Sequence, residues 1–423
     1  MSDYLFKLEG RLSPDQQQVL IQVQQAAERS QTNVFLAGGA VRDLLGGFPI
    51  RDLDFSVEGP ALQLARQLDS KLFAVRWTDP RRQSAELLFR GAATLEISGC
   101  RQERYPKPGG NPEITPSTIQ EDLRRRDFSI NAIALSLNPA SRGLLLDPTN
   151  GLADIERKEL RALSNHSFYD DPSRMLRAAR LGARFLFTLE DRTKSQFDNA
   201  REAKVALRLA PRLRLLELRQ LAGETEAAAA VKAMASAGLL EVFEPHLEGK
   251  LDLASLERLD RYRRLVEASA GKVDSFGPFL YCLARKLSTA ERAKLRDQVG
   301  LPDSEASAWA GLEKRAKALQ RAVAGKQAEV NSGLFKTLAN QDPAVVLFLM
   351  AFSPFQSVRE RIKSYFAELR PLAGSLNDKD LEDLGFQPGT GKFAAARGTY
   401  LALKLDGKIK EKADAARLLA EYL

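Results

Sequence analysis

Asp52 and Asp54 stand two residues apart in Asp52-Leu53-Asp54-Phe55-Ser56-Val57, where polar and apolar residues alternate. A period of two marks a strand with one face on a core, so both carboxylates share the opposite face. Two carboxylates on one rigid face suit the hard divalent cations of phosphoryl chemistry. Upstream, Val34-Phe35-Leu36 forms an apolar strand pattern that ends in Gly38-Gly39, and Val41, Leu44 and Leu45 give a short helix its packing face. The glycines let a ligand approach the backbone, and the unpaired N–H groups of a helix start suit a polyphosphate. Arg42 and Arg51 add positive charge nearby. Glu96 occupies the polar phase of Thr94-Leu95-Glu96-Ile97-Ser98 and is a candidate third carboxylate facing the pair across a sheet. A D-x-D alone usually marks only a solvated strand face, so its neighbours must decide.

The elements that would position these residues follow from local signals. Ser13-Pro14-Asp15-Gln16 is a capping-box start, predicting a helix to about Ser30. Pro60 opens another, packing through Leu62, Leu64, Ala65 and Leu68. Strands are expected near residues 72–77, 85–89 and 92–98. Residues 101–119 are rich in Pro and Gly and predict a long loop beside the site, ordered on demand. Residues 121–135 set Arg124, Arg125, Arg126 and Asp127 against an apolar segment. Residues 144–147 predict a short strand, followed by a turn and helix cap. From Ser164 the pattern is helical almost to the end. Asp170-Asp171-Pro172 starts a helix on which Arg174, Arg177, Arg180 and Arg184 share one side, the usual mark of an exposed stripe.

Composition sets the bounds. A chain of 423 residues implies two to four domains, and 44% hydrophobic with 28% charged residues describes a globular protein. A net charge of +8 favours an anionic partner. Cys100 and Cys282 lie far apart, match no metal spacing and suggest a reducing compartment. The N-terminal residues lack a signal-peptide core and no apolar run spans a bilayer, so a cytoplasmic location is expected. His166 and His246 are too few for a histidine-rich hydrolase site and are expected on the surface.

Four strings recur together in one known family. They are Gly38-Gly39-Ala40-Val41-Arg42-Asp43 ahead of the D-x-D, and Arg125-Arg126-Asp127-Phe128-Ser129-Ile130-Asn131. The other two are Asp147-x-x-x-Gly151-x-x-Asp154 and Asp170-Asp171-x-x-Arg174. The chain therefore resembles the nucleotidyltransferase superfamily, in its tRNA nucleotidyltransferase and bacterial poly(A) polymerase branch. The resemblance implies that Gly38, Gly39 and Arg42 bind the triphosphate, and that Asp52 and Asp54, with Glu96, hold Mg²⁺. Arg126 and Asp127 would contact the ribose, with Asn131 supporting the nucleotide region. Asp171 and Arg174, with Arg177 in the same stripe, would read the base. The chemistry of that reading is specific: aspartate accepts from the exocyclic amine of C or A, and arginine donates to the same edge. A fifth family motif is out of register here, at residues 211–218 with Glu217 displaced by one, and no role is carried over to it. Residues 379–407 resemble the helical tail of the tRNA enzymes. The P-loop suggested by Gly385 to Lys392 fails on glycine spacing, on Phe393 and on the lack of a preceding strand.

The expected fold is α+β, a nucleotidyltransferase head with a small mixed sheet of about five strands followed by an all-α neck, body and tail. The expected divisions are 1–163, 164–223, 224–370 and 371–423. The expected activity adds C and/or A to the tRNA 3′ end from CTP and ATP without a template. Basic runs at residues 258–264, 285–286 and 314–321 would track the RNA backbone. Alternatives are an A-adding-only enzyme, a poly(A) polymerase, or an inactive RNA-binding protein on this fold. A CC-only enzyme fits less well, since the resemblance gives that subclass a shorter loop at 101–119.

Overall fold

The computed structural model describes residues 3–90, 93–107, 109–271 and 273–420, which leaves Ala92 of the expected strand and Pro108 of the expected loop outside the described residues. Two compact units make up the chain: residues 1–210 with 237–239, and residues 211–236 with 240–423.

In the first unit a short helix, α1 (Asp3–Glu9), leads to α2 (Pro14–Ser30). The Ser13–Gln16 capping box is present, and Val19, Leu20 and Val23 face the core. The chain continues through β1 (Asn33–Ala37), α3 (Gly39–Leu45), β2 (Leu53–Glu58) and α4 (Ala61–Arg66). Then come β3 (Phe73–Asp79), β4 (Ser84–Phe89), β5 (Ala93–Gly99), β6 (Arg101–Arg104) and β7 (Glu113–Pro116). After α5 (Ile119–Arg124) follow β8 (Ala134–Ser136), β9 (Leu145–Leu146), α6 (Gly151–Arg157) and β10 (Glu159–Leu160). The unit closes with α7 (Ser167–Asp170), α8 (Ser173–Phe185), β11 (Thr188–Leu189) and α9 (Asp191–Glu202).

The central sheet is mixed but has seven strands, not five, in the order β3-β4-β5-β2-β1-β8-β9, with β2 and β5 parallel. Period two holds along it: Leu53, Phe55 and Val57 are buried on the core face with Leu95, Ile97, Ala85, Leu87 and Phe89. The opposite face carries the polar phase. The expected loop at 101–119 is instead largely a two-stranded hairpin, β6 against β7, with Arg101 opposite Pro116 and Arg104 opposite Glu113.

The Asp147–Gly151–Asp154 motif locks the head. Asp147 accepts from the backbone N–H groups of Gly151 (2.7 Å) and Leu152 (2.9 Å), capping α6. Asp154, buried, accepts from the Ser129 hydroxyl and from Arg161 Nε at 2.8 Å. Gly151 packs so closely that a Cβ there would overlap the carbonyl oxygen of Ser129.

The second unit is helical. Its core is centred on the helix Pro343–Phe352, buried from Val345 to Ala351. Arg263, within the 258–264 basic run, is not a surface cation. It is buried, donating to the carbonyls of Ala222, Glu224 and Thr225 and pairing with Asp260. Residues 379–419 fold on their own apolar cluster, Leu381, Phe386, Phe393, Ala396, Tyr400, Ile409, Ala415 and Leu419. Thr390 caps the helix Gly391–Leu405, so the glycine string there is a turn and helix start. Among the described residues no helix is long and apolar enough to cross a membrane.

Gly151→Ala is expected to destabilise the protein by about 2–4 kcal/mol, because the overlapping atom is backbone and has no rotamer to give. Denaturant unfolding of the variant beside wild type measures it; an unchanged midpoint contradicts the packing argument.

Candidate active site

Asp54 lies on the open face of β2, paired in register with Glu96 on parallel β5. Asp52 falls just before the first residue of β2, two positions from Asp54 and therefore on the same side. Burial first, then Glu96 and Asp52, push the Asp54 carboxyl up to about 7, against the pull of Arg126 and Arg42. Burial also raises Glu96, with Arg101 opposing. This is a cluster of like charge short of positive partners. Among the described residues, no group of three or more His, Cys, Asp or Glu side chains is placed to hold a metal ion. An open set of carboxylates suits Mg²⁺, which keeps waters and takes one or two carboxylates plus substrate phosphates.

The glycine turn stands directly beside these carboxylates. Gly38 has φ +67, and a Cβ on it would lie 2.6 Å from Arg126 Nη1 and 3.7 Å from Asp54 Oδ2. A Cβ on Gly39 would lie 3.5 Å from the same carboxylate oxygen. Turn, carboxylate and guanidinium thus share one small volume. Arg42 is buried rather than presented. It donates to Asp43 Oδ1 (2.9 and 2.7 Å) and to Asn131 Oδ1 (2.6 Å), and its guanidinium lies 4.5 Å from the Phe185 ring centroid.

Arg126 is clamped by Asp122 Oδ2 (3.0 Å) and donates to Ser56 Oγ (3.0 Å) and the Asn131 carbonyl (3.2 Å). Asp127 is buried with both oxygens engaged. Oδ1 accepts from Phe128 N (2.7 Å) and Asn131 Nδ2 (3.0 Å), and Oδ2 from Arg177 Nη1 (2.9 Å). Burial alone would raise this carboxyl, but Arg177, with Asn131 and Arg174, holds it well below the usual range. Oδ2 accepts the one bond from Arg177 and retains a lone pair for a further donor.

The arginine stripe of α8 turns inward instead of lying exposed. Arg174 and Arg180 are buried, Arg177 pairs with Asp127, and Arg184 with Asp43 at 2.9 Å. Asp170 closes the one-turn α7, Asp171 is extended, and α8 begins at Ser173. Asp171 Oδ1 accepts from Ser173 N (3.0 Å) and Oγ (2.6 Å), while Oδ2 lies 3.8 Å from Arg174 Nε. Arg174 donates to Ser167 Oγ (2.9 Å) and the Arg125 carbonyl (3.3 Å). The tip of the β6–β7 hairpin rests here: Gly109 N donates to the Asp170 carbonyl at 3.2 Å.

Three supports escaped the sequence reading. Asp122 takes both Arg125 and Arg126; its spacing of three and four residues from them on a helix was the available signal. Asp43, inside the glycine motif, takes Arg42 and Arg184. Arg101, on β6, pairs with Glu103 at 2.8 Å and bears electrostatically on Glu96.

A glycine turn at a helix start, set over a two-carboxylate strand of a mixed sheet, defines a nucleotidyltransferase head. Residues 34–161 match the family described as the poly A polymerase head domain. The resemblance to the tRNA nucleotidyltransferases holds as well. An A-adding tRNA nucleotidyltransferase of Aquifex aeolicus (strain VF5) is 30% identical over 381 residues, 89% of this chain and 45% of the relative. A CC-adding tRNA nucleotidyltransferase of Deinococcus radiodurans is 43% identical over 159 residues, 36% of this chain and 41% of the relative. A solved CCA-adding enzyme in complex with ATP covers 100% of this chain and 99% of its own, at 25% identity and a TM-score of 0.55. The chain spans about half the length of the curated relatives it matches.

The raised Asp54 carboxyl has a measurable consequence. A carboxyl near 7 when folded and 3.8 when unfolded binds its proton more tightly in the folded state. Stability from this group is therefore full below the unfolded value and is lost as pH rises through about 7. Without divalent metal, Asp54→Asn should melt higher than wild type at pH 8, by a margin that shrinks steadily as pH falls and closes only below the unfolded value of 3.8. A difference in melting temperature that does not grow with pH would contradict the like-charge reading.

Proposed function

We propose that the protein is a class II type tRNA nucleotidyltransferase. It would add C and/or A to the tRNA 3′ end from CTP and ATP, without a nucleic acid template, releasing pyrophosphate. One observation carries this reading: Arg126 and Asp127 join the glycine turn to α8. Triphosphate turn, carboxylates and base-edge pair therefore lie along one connected network.

In this reading Gly38 and Gly39 receive the triphosphate on backbone N–H groups, with Arg126 beside them. Arg42 acts from behind, fixing Asn131. Asp127 positions Asn131 and Arg177 and, with Arg126, would contact the ribose. Asp52 and Asp54, with Glu96 beside them, would hold Mg²⁺, which when bound lowers the pKa of a hydroxyl nucleophile and neutralises charge on the phosphates. Asp171 Oδ2 would accept from the exocyclic amine of C or A, and Arg174 would donate to the same edge. Uracil and guanine would set a carbonyl against the aspartate, costing ~1–3 kcal/mol for the unmatched buried group. That is a discrimination of roughly tenfold to a hundredfold. Functionally the chain would divide into head (1–163), neck (164–223), body (224–370) and tail (371–423), in the cytoplasm. The exposed Lys314, Lys317 and Arg321 would meet the tRNA backbone.

A second reading, addition of A alone, is favoured by the A-adding relative that aligns over 89% of this chain, against 36% for the CC-adding one. Incubating tRNAs that end before the tail, after C and after CC with labelled CTP or ATP separately distinguishes the two. Labelling with ATP only, and only after CC, selects the second. No labelling of any acceptor rejects both.

Asp52→Ala and Asp54→Ala are each expected to lower transfer to background while tRNA binding is retained; normal transfer by either with Mg²⁺ present rejects the carboxylate assignment. Asp171→Ala should lose most CTP and ATP incorporation and admit more UTP and GTP. Removing a helix cap costs ~0.5–2 kcal/mol of stability without touching base choice. Measuring all four nucleotides beside a melting curve therefore separates reader from cap, and unchanged base preference in a destabilised variant leaves only the cap.

A further inference from the structure

The open face of the sheet carries a row that continues beyond the carboxylates. Asp54 pairs with Glu96, Glu96 with Glu86, and Glu86 with Trp77 on the edge strand β3. At about 4.8 Å per strand, Trp77 stands about 14 Å from Asp54 along this row. Trp77 faces this way only because of an irregularity in β3. Val75 pairs with Leu87 and Trp77 with Glu86, so two steps on β3 match one on β4 and Arg76 is the extra residue. In an uninterrupted ladder Trp77 would share the face of Val75 and Leu87. The bulge re-aims it onto the carboxylate face, as bulges beside active sites do.

The indole is held there. Its Nε1–H donates to Glu86 Oε2 at 3.1 Å, and Arg76 Nη1 lies 3.3 Å from the other oxygen of the same carboxylate. One glutamate therefore sets an aromatic ring and a guanidinium side by side, with Trp77 still 42% exposed. Exposed Lys71, Arg76, Arg81, Arg82 and Arg90 surround the strand. Guarding a sheet edge against aggregation needs the bulge and the charges but not an exposed tryptophan, which works against it.

We propose that Trp77, with Arg76, forms a stacking subsite for a base of the single-stranded 3′ end of the RNA acceptor. The inference rests on the proposed function and fixes the direction of approach. The triphosphate turn lies on the β1 side of Asp54, so an in-line nucleophile enters from the opposite side, across β5, β4 and β3. A base behind the reacting 3′ hydroxyl then meets the indole, while Arg76 and its basic neighbours meet phosphates.

The test uses the full chain. Trp77→Ala should raise the KM for the tRNA acceptor roughly tenfold or more, with kcat and the nucleotide KM little changed. Trp77→Phe, which keeps an aromatic face, should stay within about twofold of wild type. The protein has two tryptophans. In a Trp309→Phe background a short single-stranded oligocytidylate should therefore quench the remaining fluorescence, an effect opposed by salt. An unchanged acceptor KM in Trp77→Ala, equal losses in the Ala and Phe variants, or no quenching overturns the proposal. So does concentration-dependent self-association abolished by Trp77→Ala, which would assign the edge to protein contact. A wild-type protein that transfers no nucleotide refutes the proposed function instead, and the quenching experiment then decides the RNA subsite by itself.

Discussion

Arg126 is a half-buried cation in a site proposed to receive a polyanion, and its clamp by Asp122 makes this possible. An unpaired buried charge is costly, so a guanidinium here needs a resident carboxylate. Burial alone would raise the Asp122 carboxyl, but Arg126 and Arg125 together hold it below its usual range. With that pair fixed, the rest of the Arg126 guanidinium reaches Ser56 and the Asn131 carbonyl and fills the space over Gly38. Glycine at position 38 is thus required twice, by a φ of +67 and by the guanidinium where a Cβ would go. The glycine turn, the carboxylate strand and the RRD segment meet in one packed contact.

The sequence made legible whatever local periodicity or capping encodes. Asp54 and Glu96 share a face because polar and apolar residues alternate on both strands, and the parallel register then makes them neighbours. Ser13 and Gln16 announce α2 by the reciprocal bonds they make. Of the strands beyond five, β9 falls within the short strand expected at 144–147, whereas β8 has only three residues and carries no period. The hairpin at β6 and β7 was hidden differently. Arg101-Gln-Glu-Arg104 and Glu113-Ile-Thr-Pro116 bury little apolar surface, and the Pro and Gly between them favour a loop reading. The bulge at Arg76 has no signature in composition at all.

Burial of the arginine stripe was invisible for another reason. Four arginines at helical spacing look solvated unless their partners are known, and here these come from distant segments: Asp127, 50 residues away, for Arg177 and Asp43, 141 residues away, for Arg184. Those partners lie within two of the recognised motifs. The motifs are therefore each other's binding partners as well as candidate ligand sites. Phe48 adds to the same seam by packing on Phe185 with ring centroids 4.6 Å apart.

This seam bears on how one pair of side chains could select a base. Discrimination by hydrogen bonds works only if the readers cannot shift to suit the wrong partner, so their positions must be set by something stiffer than a loop. Arg177 and Arg184 anchor α8 to the head by ion pairs one and three turns beyond its start, and Arg174 adds its bond to the Arg125 carbonyl. At that start, Ser173 occupies Asp171 Oδ1 and so holds the carboxylate in one orientation, with Oδ2 turned toward Arg174. Capping and reading are then not rival uses of Asp171. The bond that begins the helix is the one that would aim the carboxylate, and the stability of α8 and the proposed choice of nucleotide draw on the same contact.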